Sequence, residues 1–181
     1  MKDEDIRRTL AGSSDAFYLA LDIDDPTLLK RFFEKASLDL QDIIYRQRYP
    51  TTEDTILDFK DAFYSDLLLD VVVQDKPRIA TWLSKEGVKF RDLDIETYAT
   101  RLKIHDMVVK NPSIADCLDE LALDNIVETL LSEDKRQEAI ALTSKLIGKM
   151  DPEYLTNNLC QLFFPEDFLT VAAVKLEGVL D

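Results

Sequence analysis

DAFYLALDIDDPTLLKRFFEKASLDLQD, from Asp15 to Asp42, is the stretch whose reading decides the fold. Apolar residues recur at spacings of three and four on both sides of Asp24-Asp25-Pro26, the signature of two amphipathic helices. Between them lies a tight acidic turn. Asp25 is suited to cap the second helix, and Pro26 to open it where its missing N–H costs nothing. In that second helix Leu28, Leu29, Phe32, Phe33 and Ala36 form one apolar stripe, with Lys30, Arg31, Glu34 and Lys35 opposite.

The plan returns 51 positions later in DLLLDVVVQDKPRIATWLSKEGVKFRD, Asp66 to Asp92. An apolar helix again ends in an acidic turn, a Pro-started helix returns, and a small residue (Ala36, Gly87) closes the unit. A fainter third copy runs from Ile126 to Met150, through LLSEDKRQEAIALTSKLIGKM. Working outward, the punctuation predicts further helices over Asp3 to Leu10, Leu38 to Arg48 and Glu53 to about Gln74. Thr51-Thr52 is expected to cap the last of these, with a seam through Ile56, Phe59, Phe63, Leu67 and Val71. The run LLLDVVV is rich in β-branched residues, but the helical spacing continues through it, so a strand is rejected. Beyond it, Gly87 stands where a left-handed C-cap belongs. Asp94 is expected to cap Ile95 to Lys110, and Ser113 to cap Ile114 to Ser132 with a bend at Asp124-Asn125. Further helices are expected from Glu133-Asp134 to about Lys149, after Asp151-Pro152, and after Pro165. All six prolines fall at breaks between periodic segments. The expectation is a single all-α domain over residues 1–181, with about ten helices arranged as stacked antiparallel helical hairpins of solenoid type. A compact irregular bundle is the alternative arrangement.

LLKRFFEKASLDLQD and RIATWLSKEGVKFRD together resemble the second helix and departing loop of the ankyrin repeat. The resemblance covers about 55 of 181 residues. The family's Thr-Pro-Leu-His opening is replaced by Asp15-Ala16-Phe17-Tyr18 and Asp66-Leu67-Leu68-Leu69. The glycine of the inter-helix turn is missing, and the spacing of 51 exceeds the family's roughly 33. What the resemblance implies is a protein-binding module that presents a surface and performs no catalysis.

The chain has 181 residues, with 36 acids against 22 bases, a net charge of −14 and a pI near 4.5. Direct nucleic-acid binding through phosphates needs a basic face, and an anionic membrane would repel such a chain. A basic protein partner would be steered toward it. The charged N-terminus MKDEDIRRTL does not read as a secretory signal, and no apolar run is long enough to span a bilayer. Cys117 and Cys160 lie among apolar neighbours and read as buried thiols of a reducing, cytoplasmic compartment.

Few residues suggest chemistry. Four scattered glycines cannot form a phosphate-cradling loop. His105, the only histidine, sits beside an apolar face and reads as a packing residue; the enzymatic alternative would use it as a base. His105, Cys117 and Cys160 lack the paired spacing of a zinc site. The Asp22–Asp25 turn lacks the glycine and terminal glutamate of a calcium loop. No cofactor or metal is expected. Two acidic stripes stand out as candidate partner-binding faces: Asp54, Asp58 and Asp61 on the long helix, and Asp116, Asp119, Glu120 and Asp124 on a later one. Arg46 and Arg48, interleaved with Tyr45 and Tyr49, form the one basic aromatic patch, readable as a phosphate anchor or as internal ion pairs. The functional expectation is a non-catalytic acidic protein-binding module, in one version an inhibitor or immunity-type protein neutralising a basic toxin or nuclease. An adaptor binding a peptide helix in an apolar groove, and a nucleic-acid mimic, are the alternatives.

Overall fold

Helices that end without partners for their last carbonyls need a residue that turns the backbone into the left-handed region. Among the described residues aspartate takes that place three times. The computed structural model describes Asp5, residues 10–49 and 58–147, Asp151 and Glu153. Among these residues all regular structure is helical. It comprises α1 (Ser14–Asp22), α2 (Pro26–Lys35), α3 (Leu38–Arg48), α4 (Phe59–Val73), α5 (Pro77–Lys85), α6 (Tyr98–Lys110), α7 (Glu120–Ser132) and α8 (Arg136–Leu146). Short 3-10 turns cover Asp92–Ile95 and Pro112–Cys117. The all-helical class holds, and the Leu67–Val73 run is helical as the spacing requires. The expected helices after Asp151-Pro152 and Pro165 and most of Asp3 to Leu10 lie outside the described residues, whereas the long helix does not run unbroken from Glu53 under a Thr51-Thr52 cap: Asp58 is extended and caps a helix that starts at Phe59.

Asp24, Asp75 and Asp134 have φ of 53°, 57° and 58°. Each follows a helix by one residue and precedes the next helix by one. Around each, the same two bonds close the turn. Asp25 N donates to Ala20 O at 2.9 Å and Asp24 N to Leu21 O at 3.4 Å. The equivalents are Lys76 to Val71 and Asp75 to Val72, then Lys135 to Leu130 and Asp134 to Leu131. This is the Schellman closure, usually made by glycine. Aspartate tolerates the left-handed region better than most side chains, so it can replace glycine there. Gly87, at φ 79°, closes α5 in the same way, as its position predicts.

The chain divides into two compact units, Met1–Lys89 and Phe90–Asp181. In the first, α1 packs on α2 and α4 on α5, and the second helices of the two hairpins, α2 and α5, also meet. That meeting is locked by a polar device. Asp24 aims its carboxylate at the N-terminus of α5 and accepts from Arg78 N and Ile79 N, both at 2.9 Å. Lys76, the residue before α5, supplies no cap of its own; its ammonium instead donates to Asp22 O at 3.0 Å. The anion sits where the helix dipole favours it.

Around this lies an aromatic core. Phe17, Phe32 and Phe63 are fully buried. Phe17 meets Phe32 and Phe63 at ring separations of 5.4 and 5.7 Å, and Phe33 meets Phe63 at 5.0 Å. The centre of α4 is buried on nearly every side, from Ala62 to Leu68, so its predicted single seam is too narrow a description. Helix α3 is held against α4 by acids that accept hydrogen bonds. Tyr45 donates to buried Asp66 at 2.7 Å, and Arg48 and Tyr49 both donate to Asp70 at 2.6 and 2.7 Å. Arg46 pairs with Asp42 one turn earlier on α3. The basic aromatic patch is therefore spent on internal pairs.

The second unit corrects two expected helix starts. Asp94 does not cap a helix running from Ile95. It closes a 3-10 turn by accepting from Arg91 N at 2.8 Å, and α6 starts afresh at Tyr98 with Thr97 as its cap. Ser113 does not begin a helix reaching Ser132. A 3-10 turn ends at Cys117, and α7 begins at Glu120. The apolar phase therefore slips at Leu118-Asp119, not by a bend at Asp124-Asn125. Helix α7 packs on α6 and α8. Buried Ile104, Ile114, Leu123, Val127, Leu130 and Ala139 belong to this unit's core. Arg101 ties it together, donating to Ile95 O at 2.6 Å and to the Thr129 hydroxyl at 3.1 Å.

The double role of Asp24 sets an order of losses. Asp24→Asn keeps the left-handed preference and part of the cap, Asp24→Gly keeps only the former, and Asp24→Ala keeps neither. Urea denaturation is expected to rank them Asn, Gly, Ala in increasing destabilisation, with Ala costing about 1–3 kcal/mol. A glycine variant less stable than the alanine variant would contradict the turn assignment.

Candidate functional site

Among the described residues, the acids of the two stripes do not run along single helix faces. Asp58 lies at φ −66° and ψ 165°, outside the helix, and its carboxylate accepts from Asp61 N at 2.9 Å. It is the N-cap of α4, with exposed Asp61 in the first turn; Asp54 lies outside the described residues. Asp119 is likewise the N-cap of α7, accepting from Ala122 N at 2.8 Å. Asp116 belongs to the preceding 3-10 turn. Glu120 and Asp124 are half-buried on α7, and Glu120 accepts from Asp151 N at 3.2 Å. The spacing of three that suggested a shared face is also the spacing from an N-cap to the third helical residue. Helix starts, more than docking faces, explain these positions.

The sequence reading missed the feature with most binding character. Helices α2, α3, α4 and α5 of the first unit enclose a groove of about 270 Å³. Its walls include Phe33, Phe59, Tyr64 and Trp82, and its rim carries Glu34 and Glu86 with Lys30 and Lys60. The rings form one continuous surface. Phe33 and Tyr64 meet edge to face at 5.0 Å, Tyr64 and Trp82 at 5.4 Å, and Phe33 stacks on Trp82 at 6.5 Å. Phe33, Phe59 and Trp82 are half-buried, so part of each ring remains accessible. Leu38 stands at the mouth, 73 % exposed. The amide of Gln41 braces one side by donating to Phe33 O and Ala36 O. The Trp82 indole N–H is buried, and no acceptor among the described residues meets it. A donor left so costs about 1–3 kcal/mol. Such groups are uncommon enough to ask what else could satisfy them.

The groove has a negative side. Burial first, then the charges of Glu86 and Glu34, push the Tyr64 phenol up to about 12. Both carboxylates therefore act on the aromatic surface. Lys60 is held over the Tyr64 ring, its ammonium 5.3 Å from the centroid. The one signal that could have located this site is Phe33 within the stripe of α2. It stands one helical turn from Leu29 and shares the apolar pattern, yet it is only half-buried.

In the second unit His105 is 6 % exposed. Burial lowers its pKa from 6.5; Asp106, 3.8 Å away, and Glu138 oppose that shift, while Lys135 reinforces it. The neutral imidazole is the favoured form. Cys117 is buried, as its neighbours predict; Cys160 lies outside the described residues. Among the described residues no three His, Cys, Asp or Glu side chains gather in a way that could hold a metal ion. No described helix is long and apolar enough to cross a membrane. No family model matches the chain, and no curated protein or solved structure compared with it does either.

A histidine whose folded pKa lies below its unfolded value binds fewer protons when folded. Its contribution to stability is complete above pH 6.5 and is lost as pH falls through 6.5 toward the folded pKa. Thermal unfolding is expected to show a decrease in melting temperature across that interval, and His105→Asn to flatten that part of the profile. An unchanged slope in the variant would assign the acid sensitivity to other groups.

Proposed function

We propose that this chain is a non-catalytic protein-binding module whose contact element is the aromatic groove of the first unit. A net charge of −14 selects for a basic partner. The observation that carries the reading is the partly accessible surface of Phe33, Phe59 and Trp82 around buried Tyr64, rimmed by exposed Glu34 and Glu86. Aromatic residues supply large, rigid contact area and concentrate binding energy at interfaces. The groove sets four aromatic side chains and Leu38 beside five polar or charged ones, Lys30, Glu34, Gln41, Lys60 and Glu86. The acidic surface contributes mainly to the rate and selectivity of encounter, and the groove to the lifetime of the complex. An inhibitor or immunity-type protein that occupies a cationic toxin is one concrete form of such a module.

Groove and acidic patches make different predictions. Wild-type protein, a Glu34→Lys/Glu86→Lys variant and an Asp61→Asn/Asp116→Asn variant can be compared on an array of random twelve-residue peptides. All four positions are exposed, so the folds should survive. Basic peptides are expected on the wild type, with retention falling at least about tenfold in the glutamate variant, little changed in the aspartate variant, and weakened by salt. The reverse pattern would return the binding face to the acidic patches. An array that retains nothing would count against a peptide-binding module altogether.

A further inference from the structure

We infer that the groove of the first unit is an arginine-binding site, its occupant the guanidinium of a basic partner segment lying against the faces of Phe33, Tyr64 and Trp82 and paired with Glu34 and Glu86. This deepens the proposed function and rests on it. Three features on the same groove converge. The walls are aromatic rings, and a ring face left open attracts a cation through its quadrupole. The rim offers two exposed carboxylates, Glu34 and Glu86, among the residues that line the groove. The volume, about 270 Å³, admits a planar guanidinium with part of its stem. A guanidinium stacks on aromatic rings and accepts carboxylate partners at its edge, whereas an ammonium is a compact charge that does only part of this.

One cation already lies against the groove. Lys60 lays its ammonium 5.3 Å from the centre of the Tyr64 ring. It is exposed, and Tyr64 follows it by one turn of α4, so the helix itself brings the ammonium over the ring. An incoming arginine must share or displace it. Lys60 is therefore an internal competitor, and its removal should strengthen binding of a cation. Lys30, on the same rim, adds repulsion of the same sign.

The test uses the full chain and a matched pair of probes. Ac-Gly-Arg-Gly-amide and Ac-Gly-citrulline-Gly-amide have the same shape, and only the first is charged. Trp82 is the only tryptophan, so its fluorescence and its single indole N–H resonance report on the groove alone. The arginine peptide is expected to shift both signals and the citrulline peptide to require about tenfold higher concentration. Lys60→Gln should tighten the arginine peptide about threefold and leave citrulline unchanged, while Glu34→Gln/Glu86→Gln should weaken arginine alone. Equal shifts from both probes, or no gain from Lys60→Gln, would overturn the arginine assignment and leave the groove as a peptide site. Silence from both probes, together with no groove-dependent retention on the peptide array, would remove the groove reading as well.

Discussion

The arrangement of the first unit depends on a single carboxylate. Asp24 ends one helix by turning its own backbone left-handed and starts another by accepting two of its unpaired N–H groups. The two acts fix different things. The backbone turn reverses the chain after α1 so that α2 can pack against it. The side chain reaches across to the next hairpin and sets the height of α5 against α2. Because Lys76 brings no cap, this neighbouring hairpin supplies what α5 lacks locally. The register of the two second helices is thus set by hydrogen-bond geometry as well as by packing.

That register creates the groove. Phe33 comes from α2, Phe59 and Tyr64 from α4, and Trp82 from α5, and they form one surface because α5 is held beside α2. Other rings of the same cluster are completely buried and contribute cohesion: Phe17, Phe32 and Phe63 have no accessible surface left. Aromatic side chains are well suited to both tasks, since each buries a large area and still tolerates edge-to-face neighbours. The same cluster thus changes from core to binding surface within one helical turn, between Phe32 and Phe33.

The acids divide by what they touch. Asp66 and Asp70 lie in the interface between α3 and α4 and accept from Tyr45, Arg48 and Tyr49; burial and the Asp70 charge keep the Tyr49 phenol protonated. Asp25, Asp58 and Asp119 cap helices. Asp24, Asp75 and Asp134 turn the chain. A large share of a strongly acidic composition is therefore used for folding. The residues that give the exterior its character are those left over, with Glu34 and Glu86 placed beside aromatic rings.

The sequence alone determined the helical class, the three hairpins and their punctuation, because periodicity, proline and Asp25 act within one or two turns of the chain. It also pointed to Gly87 as a C-cap, a property of a single backbone position. It could not tell an acidic stripe from an N-cap, since Asp58 and Asp61 show the same spacing in both cases. Only the backbone at Asp58, extended and outside the helix that starts at Phe59, tells the two apart. Nor could it show that Asp24 caps a helix more than fifty residues away, or that Phe33 and Trp82 share a surface. Those facts belong to tertiary structure, because they arise only when hairpins distant in sequence pack at a set height and bring together side chains that no local pattern relates.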